Sequence, residues 1–526
     1  MKARFVWIIA IALLLMGCVI TAPQTVPAPT PTAQAKQETL PTSTAVPVPT
    51  ATPTEAPTVS VEQIRDPLAN QRLVMRPAFQ DDLDRLSGRT SYEISVVLDP
   101  GAARLSGAQV VRYTNRETEP LSELVFRLLP NTPSYGGALS VTSVAVNGTE
   151  VETRLDLGDS VLIVPLDAPL APGEQVEISL IYEGTLPTDD TAGYAQYGYI
   201  DGVLALPSFY PYLPVYDDEG WNVELGPTYG DATFTDTAFY VLTVTLPTDF
   251  VLAASGTILD RTPVDGGLAR FTIASGPVRD INLVASTDYE TVQARVDDIT
   301  VTSYYRGASE SGTRALDYAV HALEIYQDLI GPYPFAELDV VATPTKAGGI
   351  EYPGLIVVAE SLYGEEGGFF EFATVHEVAH QWWYSLVGSD QLDEPWLDEA
   401  LTQYTSLLYF EQRYGADAAQ SILDGYFYGP YEWLQRVDED MPAGLPVAAY
   451  SSDLYGPVVY GKGPLFFHEL RTLVGEEAFI ETLRVYFEDF RYEVAYPQDL
   501  MDVAEDVSGQ DLDPLYEEWI ADKEAK

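Results

Sequence analysis

Cysteine is all but missing. The 526 residues hold one, Cys18, so no intrachain disulfide can form. Positive charge is scarce as well: 28 Lys and Arg stand against 79 Asp and Glu, a formal net charge of −51. A surface of that sign repels phosphate backbones, which argues against a nucleic-acid partner; it suits solubility in a salty or acidic habitat first, and would also favour cationic ligands, a peptide's free ammonium among them. Only six lysines exist, and between Lys36 and Lys523 there are just two, Lys346 and Lys462. Histidine numbers four. The apolar run near the N-terminus, Phe5 to Met16, has 12 residues, too few for the ~20 of a spanning helix.

That run follows Lys2 and Arg4 and closes on Leu15-Met16-Gly17-Cys18. A positive start and a short apolar stretch read as a secretory signal peptide over residues 1–17. The last four residues resemble a bacterial lipobox, in which Cys18 becomes the lipidated first residue of the mature chain. Two acyl chains suffice for stable anchoring. The expectation is therefore a lipid-anchored protein of a bacterial cell envelope, facing away from the cytoplasm. Residues 18–60 are dominated by Pro, Thr, Ala, Val and Gln. Such a segment cannot bury enough apolar surface to fold. It reads as a spacer, either polyproline-like or a glycosylated stalk.

Hydrophobic residues make up 46% of the chain, enough for a sizeable core. From Tyr92 the apolar residues alternate: Tyr92, Ile94, Val96 and Leu98, and later Tyr240, Leu242, Val244 and Leu246. With turn signals at Asp99-Pro100-Gly101, Asn147-Gly148 and Pro172-Gly173, this predicts a half-buried antiparallel β domain over residues 61–295. Residues 296–526 change rhythm. Helices are expected at Thr313 to Leu329, at Phe369 to Val387 (stopped by Gly388), from Pro395 to Gly415, and after Gly463 and Gly475. Short buried strands are expected at Val340 to Ala342 and Leu355 to Val358. The fold class is α+β and multidomain, a β domain followed by a mainly helical one.

The strongest chemical signal is His376-Glu377-Val378-Ala379-His380. On a helix, positions i and i+4 share a face, so two imidazoles can reach one Zn²⁺. Glu377, one step round, can act on a water at the metal. A catalytic zinc needs three protein ligands, and Glu399, in Trp396-Leu397-Asp398-Glu399, is the natural third. These segments resemble the aminopeptidase N family of zinc metallopeptidases. There a His-Glu-x-x-His pair is followed after 18 residues by Trp-Leu-x-Glu. The resemblance implies a thermolysin-like catalytic domain, one zinc per chain on His376, His380 and Glu399, and Glu377 as general base.

Two more segments are similar. Gly348-Gly349-Ile350-Glu351-Tyr352-Pro353 resembles the family's Gly-x-Met-Glu-Asn signature, with Ile for Met and Tyr-Pro for Asn. It implies that Gly348, Gly349 and Glu351 bind substrate, Glu351 through the free α-ammonium. Tyr460, in Val459-Tyr460-Gly461-Lys462-Gly463, matches the family's oxyanion-stabilising tyrosine. The likeness runs from about residue 85 to 520 and lacks the family's large C-terminal helical domain, so a more open cleft is expected. Three functions follow as alternatives. The first is removal of N-terminal residues from peptides, the second endopeptidase cleavage by the same zinc site, and the third a non-catalytic surface binding protein. His321 and His468 read as packing or surface residues.

Overall fold

The computed structural model describes residues 68–191, 196–364 and 368–521. The expected signal peptide, Cys18 and the 18–60 spacer lie outside the described residues. Among the described residues no helix is long and apolar enough to cross a membrane.

The first half is built of sheets. The largest has eight strands, in the order 257–264, 268–278, 238–247, 91–99, 104–114, 175–185, 138–146 and 149–150. The alternation read from the sequence is what it buries. Tyr92, Ile94, Val96 and Leu98 point into the core from Ser91–Asp99, and Tyr240, Leu242, Val244 and Leu246 do so from Ala238–Pro247. These two strands are neighbours in register, Tyr92 beside Tyr240 and Ile94 beside Leu242, and the two tyrosine rings stack at 4.9 Å. The pair is parallel, whereas the other pairings of this sheet are antiparallel. The expected all-antiparallel domain is corrected at that one point. Period-two alternation says which face is buried, not which strand lies alongside.

A four-stranded, a three-stranded and a two-stranded sheet complete this half among the described residues. The next sheet has five strands, in the order Glu290–Val296, Ile299–Tyr305, Glu337–Thr343, Leu355–Ala359 and Gly349–Ile350. Glu290–Val296 pairs along its length with Ile299–Tyr305, so the change of sheet falls at Glu290, and a boundary at 295/296 would cut a strand. Gly349–Ile350 is the edge strand, antiparallel to Leu355–Ala359. Helices Ser309–Leu329, Phe369–Ala379 and Leu401–Tyr414 follow in the same half, with later helices from Gly463 and Glu476. One hydrophobic cluster runs through both halves, so the β region and the helical region share a core.

Candidate functional site

Helix Phe369–Ala379 is buried along almost its whole length, His376 and Glu377 included. It does not continue to Val387 as expected. His380 is its C-cap, and the chain then turns back on itself through residue 388. The pattern from 380 to 387 is apolar enough for a helix, but its indoles and carbonyls have partners elsewhere. Trp382 Nε1 donates to Gly331 O at 2.9 Å and Trp383 Nε1 to Thr405 Oγ1 at 2.9 Å. Arg279, brought by the β region and 2% exposed, donates to the carbonyls of Tyr384 (2.5 Å), Thr235 (3.0 Å) and Leu386 (3.4 Å), and to that of Glu493. Burial pulls the Arg279 pKa down to about 10, which leaves it charged at neutral pH. A helix over this stretch would have used the Tyr384 and Leu386 carbonyls internally; a buried guanidinium that takes both, and is itself held by Thr235 and Glu493, keeps the turn open. Tyr384 sits there at φ 114°, a strained conformation for a side-chain-bearing residue, with its hydroxyl donating to Asp280.

The turn leaves both histidines facing Glu399, which lies in a π-helical turn, Trp396–Ala400, at the head of helix Leu401–Tyr414. His376 Nε2 is 3.2 Å from Glu399 Oε2, His380 Nε2 is 3.5 Å from the same oxygen, and the two Nε2 atoms are 3.1 Å apart. Donors bound tetrahedrally at 2.0–2.1 Å from a metal are about 3.3 Å from one another. The three distances bracket that value, and all three residues are buried, so the trio fits a zinc ion.

Asp398 completes the surroundings, and sequence reasoning missed it. Its Oδ1 is 2.7 Å from His380 Nδ1, which turns Nε2 toward the metal position. An acidic residue adjoining a ligand was the available signal. Charge follows the geometry. Burial holds His376 below the usual imidazole range. At His380 burial acts the same way, but Asp398 and Glu399 overcome it and carry the ring well above that range. At Glu399 hydrogen bonds from His376 and His380 outweigh burial and hold the carboxyl low.

The other expected residues gather round this trio. Glu377 is 5% exposed, and burial raises its carboxyl well above the ordinary value. The Tyr460 hydroxyl donates to Glu399 Oε1. Edge strand Gly349–Ile350 runs beside the helix, and a Cβ built on Gly349 would overlap the Glu377 carboxylate. Gly348 serves the sheet, its carbonyl accepting from Ala359 N at 3.0 Å. Glu351 is buried, and burial pushes its carboxyl up to about 7. Its Oε1 accepts from Gln391 Nε2 at 3.2 Å, and the same nitrogen reaches Asp398 Oδ2 at 2.5 Å. Gln391 thus ties the Glu351 carboxylate to the partner of His380; nothing local in the sequence marked it.

Lys346 and Lys462 stand outside the chemistry. Lys346 pairs with Asp190 at 3.0 Å, and Lys462 with Asp440 at 2.6 Å and the carbonyl of Met441 at 2.7 Å. His321 bonds its own helix through Asp317 O at 2.7 Å, and His468 lies 3.4 Å from the Tyr404 hydroxyl.

Residues 314–519 match the model of the Peptidase family M1 domain. Across longer stretches the chain is 25% identical to aminopeptidase M1-C of Oryza sativa subsp. japonica, over 84% of this chain and 50% of the relative. It is 28% identical to aminopeptidase N of Lactococcus lactis subsp. lactis, over 40% of this chain and 27% of the relative. The chain thus spans about half the length of the rice relative, and less of the bacterial one. In three dimensions it is similar to the M1 zinc metallopeptidase from Deinococcus radiodurans, with a TM-score of 0.63 at 23% identity, covering 82% of this chain and 93% of that one. A variant of that enzyme bound to a Tyr-Ser-Ala substrate gives a TM-score of 0.62 at 22% identity, with 82% and 93% covered. Residues 314–519 are thus similar to a peptidase family M1 domain, in a chain that shares the fold of the M1 zinc metallopeptidases.

Proposed function

We propose that this chain is a zinc aminopeptidase that removes N-terminal residues from peptides. The carrying observation is the trio His376, His380 and Glu399, whose donor atoms stand 3.1–3.5 Å apart with Glu377 and Glu351 beside them. Zinc held there supplies an activated water and polarises the scissile carbonyl. The chain's own groups do the rest. Glu377, its proton affinity raised by burial, takes a proton from the attacking water and returns it to the leaving amine. Tyr460 turns its hydroxyl from Glu399 to the developing oxyanion. Glu351 pairs with the α-ammonium of the peptide and so sets the register of cleavage at the first bond. The rice and Lactococcus relatives are aminopeptidases, and a structural neighbour is bound to a Tyr-Ser-Ala substrate; both support the reading.

The test is hydrolysis of paired peptides, one with a free amino terminus and one acetylated, by the zinc-loaded full chain in detergent. The expected result is release of the first residue from the free peptide alone. That activity should be lost with a chelator and in Glu377→Gln. Equal cutting of both peptides would make it an endopeptidase, and no cutting with zinc bound would make it a binding protein. We also propose that Cys18 carries a lipid that holds the chain to a membrane of a bacterial cell envelope, facing away from the cytoplasm. The support is the short apolar run ending at the chain's single cysteine. The Cys18→Ala variant should leave the membrane fraction; its retention there would reject the anchor.

A further inference from the structure

Tyr460 and Glu399 meet across two π-helical turns. Glu399 lies in Trp396–Ala400 and Tyr460 in Gly456–Lys462, and the Tyr460 hydroxyl donates to Glu399 Oε1. A π turn is rare and recurs at functional sites. In Gly456–Lys462 its cause is readable. In an α-helix the Tyr460 carbonyl would accept from the N–H of residue 464, and residue 464 is proline. Proline offers no N–H, and its ring presses on the carbonyl four residues before it. Gly463 N accordingly donates to Val458 O, five residues back.

A buried side chain takes up the displaced carbonyl. Gln403 is 3% exposed and stands on helix Leu401–Tyr414. Its Nε2 donates to Tyr460 O at 3.2 Å, across 57 residues of chain. Gln403 follows Glu399 by four positions, and residues so spaced share a helix face. That face therefore holds Tyr460 at both ends: Glu399 accepts from the hydroxyl, and Gln403 donates to the carbonyl. The two π turns are also pressed together, since a Cβ on Gly463 would stand 2.6 Å from that of Ala400.

A backbone carbonyl buried without a donor is costly. With the Gln403 amide removed, the turn gains by rewinding, and rewinding rotates the side chain it carries. We propose that Gln403 is a positioning residue for Tyr460: by holding the carbonyl that Pro464 displaces, it keeps the π turn open and the Tyr460 hydroxyl aimed at the metal trio. Its action on the reaction runs through the Tyr460 backbone.

This inference rests on the oxyanion role proposed for Tyr460, and a double-mutant cycle separates the two. Zinc-loaded full chain in detergent is compared as wild type, Gln403→Met, Tyr460→Phe and the double variant, with zinc content checked in each. Two quantities are read: kcat on a free tripeptide, and calorimetric binding of the phosphinic analogue of Phe-Ala, whose tetrahedral phosphinate stands in for the oxyanion. Gln403→Met removes the donor and keeps the length of the side chain. It should lower kcat roughly 10–100-fold, as for a misplaced catalytic group, and weaken the analogue by a similar factor. KM, zinc content and the binding of L-phenylalaninamide should stay at their wild-type values. Beside Tyr460→Phe it should cost nothing further, because residues that act as a unit are not additive. If Gln403→Met does not fold, Pro464→Ala decides the matter from the other side. It returns the N–H at 464, lets the turn close, and should show the same loss and the same silence beside Tyr460→Phe. Wild-type kcat and analogue affinity, a change confined to KM, or equal losses in both backgrounds would each overturn the assignment. Wild-type behaviour of Tyr460→Phe itself would bring down the oxyanion role, and this inference with it.

Discussion

Gly349 and Glu377 are in contact: the backbone of the edge strand passes so close to the carboxylate that a Cβ on Gly349 would overlap it. Glycine here is a condition for the placement of the proposed base, set by approach and not by an unusual φ. Gly349→Ala should therefore displace Glu377 and lower kcat/KM about 100-fold, the scale of a misplacement of about 1 Å. The zinc content of the purified variant should stay at one per chain, because no metal-binding atom moves.

Asp398 acts on the metal through His380. Losing its 2.7 Å pairing with Nδ1 frees the ring to rotate and weakens it as a donor. Asp398→Asn should lower zinc affinity roughly 10–100-fold, read by competition with a chromophoric chelator. Saturating zinc should restore part of the activity.

Tyr460 touches Glu399 in the resting arrangement and is proposed to meet the oxyanion only during reaction. Tyr460→Phe removes a donor while keeping the ring. It should reduce kcat by about 10²–10³, with KM and zinc content near the wild-type values. Steady-state kinetics beside metal analysis would separate this from a loss of zinc.

A pH effect on stability follows from Asp280, 4% exposed under the strained Tyr384. Burial pushes its carboxyl up to about 6, against opposing hydrogen bonds from Tyr384 and Asn282. An unfolded aspartate titrates near ~3.9. Below pH ~4 both states hold the proton; between ~4 and ~6 the folded state keeps a proton that the unfolded state has released. Stability is thus greatest on the acid side and falls as pH rises through about 6, by ~3 kcal/mol at most from this group. Asp390, also pushed up to about 6 by burial, acts in the same direction. Urea unfolding from pH 4 to 7 should show the decline in wild type and a shallower one in Asp280→Asn.

Local spacing made part of this site legible. His376, Glu377 and His380 lie within one helical turn and its cap, so the i, i+4 geometry follows from the chain itself. The alternation from Tyr92 to Leu98 likewise specified which side chains face the core. Glu399 followed from the need for a third ligand at a workable spacing, Glu351 and Tyr460 from resemblance, and the fold brings all three to the histidines. Gln391, Asp398 and Gln403 were not marked. Their meaning depends on partners, and a polar residue in a sequence does not name its partner.

The sequence by itself determined the metal-binding turn, the faces of the strands, the excess of negative charge and the order of a β region before a helical one. These are properties of short spacings and of composition, which the chain carries wherever it folds. Tertiary structure decided where helix Phe369–Ala379 stops, because Arg279 arrives from 100 residues before Ala379 to take the Tyr384 and Leu386 carbonyls beyond it. It also decided the parallel pairing of Ser91–Asp99 with Ala238–Pro247, the edge strand laid against Glu377, and the meeting of Gln403 with the Tyr460 carbonyl. Each depends on segments far apart in the chain, brought together by a core that both halves share. Burial of apolar surface is non-directional, so it drives that assembly without recording in any one segment which neighbour it will meet.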